Sequence, residues 1–254
     1  MKPKPSVPRC GVARFRSQTV LFAAFSWLLI CKNPTSAQWL RQNSNTDASF
    51  RAVCAVSETT CWVGGSKGTI LRTTDGGNTW EPKRIPGTET LDFRDVHAFS
   101  ANVAVAMSAG EASEGKARIY RTTDGGQTWK LVFQTTQKGV FLDGLDFWDA
   151  THGLCFGDPV DGKFYVLTTD DGGKTWREVP RTNFPAVLPG EAAFAASGTS
   201  VVVLKNTERA WIGTGGGPFA RVFRTADRGR SWQVAQTPMP ASASSGIFGL
   251  RFWS

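Results

Sequence analysis

The sequence TTDGGNTW at residues 73–80 recurs three more times along the chain. The other copies are TTDGGQTW at 122–129, TDDGGKTW at 169–176 and TADRGRSW at 225–232. The spacings between successive aspartates of these octapeptides are 49, 47 and 56 residues, for Asp75, Asp124, Asp171 and Asp227. A period near 50 residues, joined to short strand-like segments, indicates a repeat architecture such as a propeller.

Each octapeptide lies between two segments with strand composition. The first copy follows GTILRTT and precedes TWEPKRI, and the second follows ARIYRTT and precedes TWKLVFQ. Two further short apolar runs lie upstream in every unit, and no helical periodicity interrupts them. Four strands per unit with turn residues between them predict an all-β protein, a β-propeller of four-stranded blades. In the fourth unit, the pattern predicts strands at 192–196 and 201–204 as the first and second strands.

The octapeptide has a structural explanation as the turn between the third and fourth strands of a blade. Glycines permit positive φ in a tight turn, and an Asp carboxylate can accept hydrogen bonds from the turn's own N–H groups. The threonine hydroxyls can bond back across the turn, and the large Trp can fill the space between blades. One carboxylate per turn is too few for a calcium site, so we predict neither a metal nor another cofactor. The predicted structural residues are Asp75, Gly77, Thr79, Trp80, Asp124, Gly126, Thr128, Trp129, Asp171, Gly173, Thr175, Trp176, Asp227, Gly229 and Trp232.

The first 37 residues have the order of a secretory signal peptide: a basic leader, the apolar run VLFAAFSWLLI at 20–30, and the small residues TSA at 35–37. Six of the 29 basic residues lie in this leader, which leaves 23 basic against 21 acidic residues in the mature chain, a net charge of +2. This charge gives no reason to expect a nucleic-acid partner. The apolar run is too short to span a bilayer, so we predict a mature chain, 38–254, without a transmembrane segment, in the periplasm or outside the cell.

Three of the five cysteines lie in the mature chain. Cys54 and Cys61 flank a predicted turn and are candidates for a disulfide in an oxidising compartment. Two small buried apolar residues are an equally good interpretation of the pair.

Both ends of the mature chain resemble single strands of a blade. Trp39 in residues 38–48 corresponds to Trp129, which predicts a fourth strand that closes the last blade of a ring. SGIFGLRFWS at 245–254 resembles LDGLDFWD at 142–149, which predicts that residues 246–254 form the first strand of a further blade. With about four blades present, we expect a fragment of a larger, roughly seven-bladed ring.

The connections between second and third strands vary in length and are the best candidates for binding residues, because loops on a rigid scaffold commonly carry function. The predicted insertions are GEASEGK at 110–116, GDPVDGK at 157–163 and NTERAWIGTGGGPF at 206–219. We expect them to lie side by side on one rim. The candidate contact residues on this rim are Glu111, Asp158, Asp161, Glu191, Arg209 and Trp211.

The octapeptides resemble Asp-boxes, also called BNR repeats, which occur in sialidases and many other secreted propellers. The longer stretches GDPVDGKFYVLTTDDGGKTW at 157–176 and PGEAAFAASGTS at 189–200 more closely resemble exported bacterial proteins related to the plant photosystem II stability/assembly factor. This resemblance implies the propeller fold and leaves the activity open. A sialidase needs an arginine cluster and a Tyr–Glu nucleophile pair, and neither is recognisable in the chain, so we identify no catalytic residue.

Three functions follow as expectations. The first is an exported module that binds a protein partner, or a glycan, without catalysis. The second is a sialidase-like glycoside hydrolase whose catalytic residues lie in blades outside this sequence. The third, which the assembly-factor resemblance alone implies, is a role in photosystem II assembly or stability in a photosynthetic host.

Overall fold

The computed structural model describes residues 39–252. Within residues 41–252, sixteen strands form four separate antiparallel sheets, and the four strands of each sheet pair in sequence order. The strands of the first sheet, blade 1, are β1 Phe50–Ala55, β2 Cys61–Gly65, β3 Ile70–Thr73 and β4 Glu81–Pro82. Those of blade 2 are β5 Asp92–Ala98, β6 Ala104–Ala109, β7 Arg118–Thr122 and β8 Lys130–Gln134. The prediction of four-stranded Asp-box blades is confirmed.

The strands of blade 3 are β9 Leu142–Phe147, β10 Gly153–Val160, β11 Lys163–Thr169 and β12 Arg177–Glu178. Those of blade 4 are β13 Val201–Val203, β14 Ala210–Gly213, β15 Phe219–Thr225 and β16 Gln233–Pro240. Single turns of 3-10 helix occur at Ala112–Glu114 and Arg181–Asn183. Among the described residues, no helix is long and apolar enough to cross a membrane.

Consecutive blades pack face to face through three apolar clusters. Trp62 of blade 1 lies in one cluster with Phe93 and Val96 of blade 2. The second cluster joins blades 2 and 3, and the third joins blades 3 and 4. The first strands of consecutive blades contact one another, β1 with β5, β5 with β9 and β9 with β13, which places them at the inner edge of the sheets. The four blades therefore form a partial β-propeller.

Blade 4 differs from its predicted strand assignment. Its first strand is Val201–Val203 and its second is Ala210–Gly213, while 192–196 contributes only a single bridge, between Ala192 and Gly215. The polar turn after β13 explains the difference, because Asn206 adopts a φ of 59° and the N–H of Leu204 donates to the carbonyl of Arg209. The predicted insertion at 206–219 is thus a turn, a strand and a shorter loop.

The predicted insertion of blade 3, at 157–163, is also mostly strand. β10 continues to Val160 and β11 begins at Lys163, so only Asp161 and Gly162 form the turn. Both have positive φ, of 53° and 75°, as a two-residue hairpin requires.

The candidate disulfide is not formed, and Cys54, Cys61 and Cys155 are free thiols. Cys54 pairs with Trp62 across the β1–β2 ladder, and Ala55 pairs with Cys61. Because adjacent residues of a strand point to opposite faces of the sheet, this register directs the thiols of Cys54 and Cys61 away from each other. The Cys54 thiol accepts a hydrogen bond from the N–H of Ala98 in the next blade instead.

The predicted terminal segments contain no strand in the described residues. Residues 39–49 and 246–252 are irregular apart from a bridge between Gly215 and Gly246. The leader prediction falls on residues outside the described range.

Candidate functional site

The Asp-box turn is held by one carboxylate and two threonines. In the first copy, Thr73 Oγ1 donates to Asp75 Oδ1 over 2.8 Å and accepts the N–H of Gly77 over 2.9 Å. The Thr79 N–H donates to Asp75 Oδ1 over 3.0 Å, and the Thr79 hydroxyl donates to Oδ2 over 2.6 Å. The carboxylate therefore links the third strand to the beginning of the fourth.

The same hydrogen bonds recur in the other three copies. They centre on Asp124, Asp171 and Asp227, with Ser231 replacing the second threonine in the last copy. The strand-end threonine was not predicted to have a role, although its place two residues before every aspartate could have indicated one. It occupies positions Thr73, Thr122, Thr169 and Thr225.

Backbone conformation explains the glycines of the motif. The two central residues have φ of 73° and 88° in the first copy, and of 57° and 83° in the fourth, where Arg228 replaces the first glycine. An arginine at the first position shows that this left-handed conformation is tolerated there by a residue with a side chain. The N–H of Arg228 still donates to the Glu208 carbonyl, as the N–H of Gly76 donates to Thr59.

The Asp-box carboxylates are strongly stabilised as anions. Hydrogen bonds from the hydroxyl and N–H of Thr79, with a further one from Thr73, lower the pKa of Asp75 from 3.8 to about 2. Equivalent bonds from Thr128 lower the pKa of Asp124 to about 2. The hydroxyl and N–H groups of the turn already bind these carboxylates, which fits a structural role.

Three of the four Asp-box tryptophans pack at the junctions between the described blades. Trp129 of blade 2 meets Trp62 of blade 1 edge to face, with ring centroids 6.0 Å apart. Trp176 and Trp232 are buried in the second and third clusters. Trp80 in blade 1 is only half-buried, and its indole N–H donates to Gln42 Oε1.

Arginines on the third strands of blades 1 and 2 connect each of these two blades to the next, whereas Thr168 holds the equivalent position in blade 3. Arg72 Nη1 donates to the Ala101 carbonyl in blade 2 over 2.9 Å. Arg121 Nε donates to the carbonyl of Gly172, inside the Asp-box of blade 3, over 2.9 Å. The Asp-box therefore takes part in blade-to-blade docking as well as in its own turn.

The predicted rim residues fall at two opposite ends of the sheets. Glu111 and Asp161 are exposed in the connections between second and third strands, the end away from the Asp-boxes. Arg209 and Trp211 lie at the Asp-box end, because the turn before β14 contacts the fourth Asp-box through Glu208. The expected single rim is therefore incorrect for these two residues, and the misplaced strands of blade 4 are the reason.

Glu191 is buried rather than exposed. It is 4% exposed and forms an ion pair with Arg221, whose Nε lies 2.9 Å from Glu191 Oε1. The hydroxyl of Thr214 donates to the same oxygen over 2.7 Å. This carboxylate holds the 188–192 segment against blade 4, and its charge is already paired.

Asp158 lies beside a buried acid that was not predicted. Asp143 on β9 is 1% exposed, and its Oδ2 has no hydrogen-bond partner. Burial, reinforced by the Asp158 carboxyl, raises the pKa of Asp143 well above its ordinary value, and the Arg94 guanidinium offsets only part of the shift. Burial also raises the pKa of Asp158, whose Oδ1 accepts the Ala193 N–H. Asp143 lies between Leu142 and Gly144 in β9, the first strand of blade 3. An acidic residue within such an apolar strand is the sequence signal that could have revealed it.

The described residues contain no cluster of three or more His, Cys, Asp or Glu side chains arranged to hold a metal ion. At the Asp-box end, a cavity of about 430 Å³ is lined by Arg209, Trp211, Arg224, Asp227 and Gln233, among others. A second cavity, of about 580 Å³, lies beside Trp80 and Ile85 in blade 1.

Residues 31–137 match the sequence model of a family described as "Photosynthesis system II assembly factor YCF48". The match covers less than half of the chain. No curated protein sequence matches the chain. The resemblance to assembly-factor propellers with BNR repeats is thereby confirmed for this part of the sequence.

Solved structures similar to the chain include propellers with different functions. A protein of unknown function from Dyadobacter fermentans is 17% identical with a TM-score of 0.52, over 78% of this chain and 71% of that one. A GH74 enzyme from Niastella koreensis is 16% identical with a TM-score of 0.50, over 68% of this chain and 28% of the enzyme. A YCF48 bound to a D1 peptide is 18% identical with a TM-score of 0.44, over 77% and 71% of the two chains. At these identities, the first two similarities establish the fold alone.

Proposed function

We propose that this chain is an exported β-propeller module that binds a protein partner during the assembly of a larger complex. The observation that carries the proposal is the match of residues 31–137 to a family named for the assembly of photosystem II. The matched residues include the first two Asp-boxes and the β6–β7 connection. The basic, apolar and small residues of the leader support the exported location.

The end of the sheets away from the Asp-boxes offers the better binding surface. Glu111 is exposed beside the 3-10 turn Ala112–Glu114, and Asp161 is exposed at the tip of the β10–β11 hairpin. Backbone hydrogen bonds hold both positions: the carbonyl of Glu111 accepts the N–H of Glu114, and Asp161 lies in a two-residue turn. A rigid scaffold that presents separate loops is a common basis for recognition.

The charge of this surface indicates the kind of segment it would bind. Glu111, Asp158 and Asp161 form what we call the acidic rim. Asp161 is ion-paired with Arg181 over 2.9 Å but remains exposed. Glu111 is also exposed, and its charge acts on the half-buried Asp158, whose pKa it helps to raise. Charge complementarity favours a basic segment of the partner, and it would act mainly on the association rate and on specificity.

A charge-reversal experiment tests the proposal. The Glu111→Lys/Asp161→Lys variant and wild type would be tagged, expressed with the leader, and crosslinked to partners in envelope extract. The matched control is Glu58→Lys/Glu208→Lys, which makes the same charge change at exposed positions of the Asp-box end. We expect wild type and the control variant to retain a partner that the rim variant loses. The same difference in binding should then appear with the purified partner and the purified variants.

Two results would contradict the proposal, one for the binding surface and one for the location. Retention of every partner by the rim variant would exclude the acidic rim as the binding surface. A chain that stays in the cytoplasm when expressed with its leader would contradict the exported location, independently of the binding result.

A further inference from the structure

A third cavity, of about 340 Å³, lies at the Asp-box end of the junction between blades 2 and 3. Its walls contain three basic side chains: Arg121 of β7, Lys130 of β8 and Lys174 of the Asp-box turn of blade 3. Among the described residues, no Asp or Glu lines it, and the carboxylates of the two Asp-boxes, Asp124 and Asp171, are bound by their own turns. A cavity lined by charges of one sign attracts ions of the opposite sign.

The packing of the two blades brings the three basic groups together. Arg121 Nε donates to the carbonyl of Gly172 over 2.9 Å, which places the guanidinium beside the turn that carries Lys174. Arg121 and Lys130 are partners across the β7–β8 ladder, so their side chains lie on the same face of the sheet. None of the three forms an ion pair with a carboxylate of residues 39–252. The Nη groups of Arg121 and both ammonium groups are therefore available to a ligand.

The same cross-strand position carries no pair of like charges in the other three blades. In blade 1, the partners are Arg72 and Glu81, and Arg72 Nη2 lies 3.0 Å from Glu81 Oε2. Like charges directly opposite each other destabilise a sheet, so the Arg121–Lys130 pair is unfavourable for the fold by itself. A bound anion would remove this repulsion. The partners in the remaining blades are Thr168 and Arg177 in blade 3, and Arg224 and Gln233 in blade 4.

The other walls of the cavity suit a small polar molecule. Thr123 is exposed and offers a hydroxyl group, while the half-buried Trp129 and Val132 offer apolar surface. At about 340 Å³, the cavity is larger than a single oxyanion needs and lies at the lower end of the range for small-molecule sites, roughly 300–1,000 Å³. Hydroxyl groups, an apolar face and an anionic group occur together in a charged sugar.

We infer that this cavity is a binding site for a sugar phosphate or a sugar sulfate. The ester oxygens lie between Arg121, Lys130 and Lys174, where the guanidinium can bind two of them at once. The sugar ring packs against Trp129 and hydrogen-bonds with Thr123. The site lies at the opposite end of the sheets from the acidic rim, so it does not depend on the proposed partner surface.

Calorimetric titration of the purified chain at low salt tests the inference, with glucose 6-phosphate and glucose 6-sulfate as probes. We expect both esters to bind and uncharged glucose not to bind. Inorganic phosphate should bind about tenfold more weakly than glucose 6-phosphate, because it lacks the contacts of the ring. A bound ester at about ten times its Kd should also raise Tm by about 3–5 °C.

Substitution of Lys130 separates binding from folding. Lys130→Glu introduces the arginine–glutamate pair that blade 1 already has, so Tm of the free protein should be equal or higher. The same variant should bind the esters at least about tenfold more weakly, since it loses a charged contact and adds a repulsive one. Lys174→Glu should weaken binding as well. The matched control is Lys138→Glu, at an exposed position between β8 and β9, which should bind as wild type does.

Four results would overturn the inference. The first is the absence of binding by both esters, and the second is an equal loss of binding in Lys138→Glu and Lys130→Glu. The third is inorganic phosphate that binds as tightly as glucose 6-phosphate, which would leave an oxyanion site without recognition of a sugar. The fourth is a glutamate-rich peptide or a phosphatidylglycerol vesicle that binds through Lys130 more tightly than the esters, which would assign the cavity to a protein or a lipid surface.

Discussion

The guanidinium of Arg121 in blade 2 donates through Nε to the carbonyl of Gly172 in blade 3 over 2.9 Å. Gly172 is one of the two left-handed residues of an Asp-box, with φ of 73°. One hydrogen bond therefore joins the strand that ends at one Asp-box to the Asp-box of the next blade. Arg72 makes a comparable contact with the Ala101 carbonyl. At two of the three junctions, the repeat thus supplies a contact between blades as well as the turn within a blade.

Removal of this contact should weaken the junction of blades 2 and 3. We expect Arg121→Ala to lower the free energy of unfolding by about 1.5–3 kcal/mol, the range for a hydrogen bond from a charged donor. The matched control is Arg224→Ala, at the same register position in blade 4, whose partner is the exposed Gln233. It should cost no more than about 0.5 kcal/mol. Urea denaturation measures both, and equal losses would show that the inter-blade bond contributes nothing specific.

The fold could be predicted from the sequence because its signals are local. Asp75, Gly77 and Thr79 belong to one turn, and the octapeptide sequence fixes the spacing between them. The four blades of the described residues followed from the same repeat, although two strands of blade 4 were misassigned. Trp129, Trp176 and Trp232 lie at junctions between blades, since a large side chain at a repeated strand start has few other places to pack, whereas Trp80 is half-buried beside Gln42.

The candidate site was less predictable because it depends on long-range contacts. Glu191 was expected on a rim, yet Arg221 and Thr214, 30 and 23 residues later, bury it. Arg209 was assigned to the wrong end because one strand of blade 4 was placed too early. The acidic character of Asp143 is visible in the sequence, but its burial beside Asp158 follows only from the packing of β9 and β10.

Equivalent positions on the first strands provide a matched pair of substitutions. Val96 on β5 is 4% exposed, whereas Val53 at the same position of β1 is 71% exposed, because no blade precedes blade 1 among the described residues. We expect Val96→Ala to cost about 2 kcal/mol, from two lost methyl groups and a small cavity. Val53→Ala should lie within about 0.5 kcal/mol of wild type. Chemical denaturation compares them, and a Val53→Ala loss as large as that of Val96→Ala would mean that Val53 is covered in solution.

The Asp-box carboxylates predict a loss of stability in acid. The pKa of Asp124 is lowered to about 2 in the folded chain, below the unfolded value near 3.8. Its stabilising contribution is therefore present above pH 4 and is lost as pH falls toward 2. We expect Asp124→Asn to have a lower Tm than wild type at pH 5 and the difference to shrink by pH 2. A difference in Tm that stays constant over this range would show that ionisation of Asp124 is not the stabilising element. Asp161→Asn, at an exposed turn, is the control.

Asp143 should give the opposite pH dependence. Its pKa is raised in the folded chain, mainly by burial, so the unfolded chain loses this proton first as pH rises. The contribution of Asp143 to stability is fully present below the unfolded pKa, near 3.8, and declines as pH rises toward the folded pKa. We expect the Tm difference between Asp143→Asn and wild type to shift in favour of the variant between pH 4 and pH 8, because the amide remains neutral throughout. Asp92→Asn serves as the control on a nearby, partly exposed carboxylate that is already paired with Arg94.

The four Asp-box tryptophans should differ in their effect on stability according to the blade that precedes them. Trp232 is buried in the cluster of blades 3 and 4 with its ring 4.9 Å from that of Phe184, whereas Trp80 is half-buried beside Gln42. We expect Trp232→Ala to lower the free energy of unfolding by about 3–5 kcal/mol, the cost of a large cavity in a packed core. Trp80→Ala should cost clearly less, since water can occupy the space its ring leaves. Denaturation of both variants, with Trp232→Phe as the conservative control, measures the difference. Equal costs would place Trp80 in a covered junction and would point to a further structural element against blade 1.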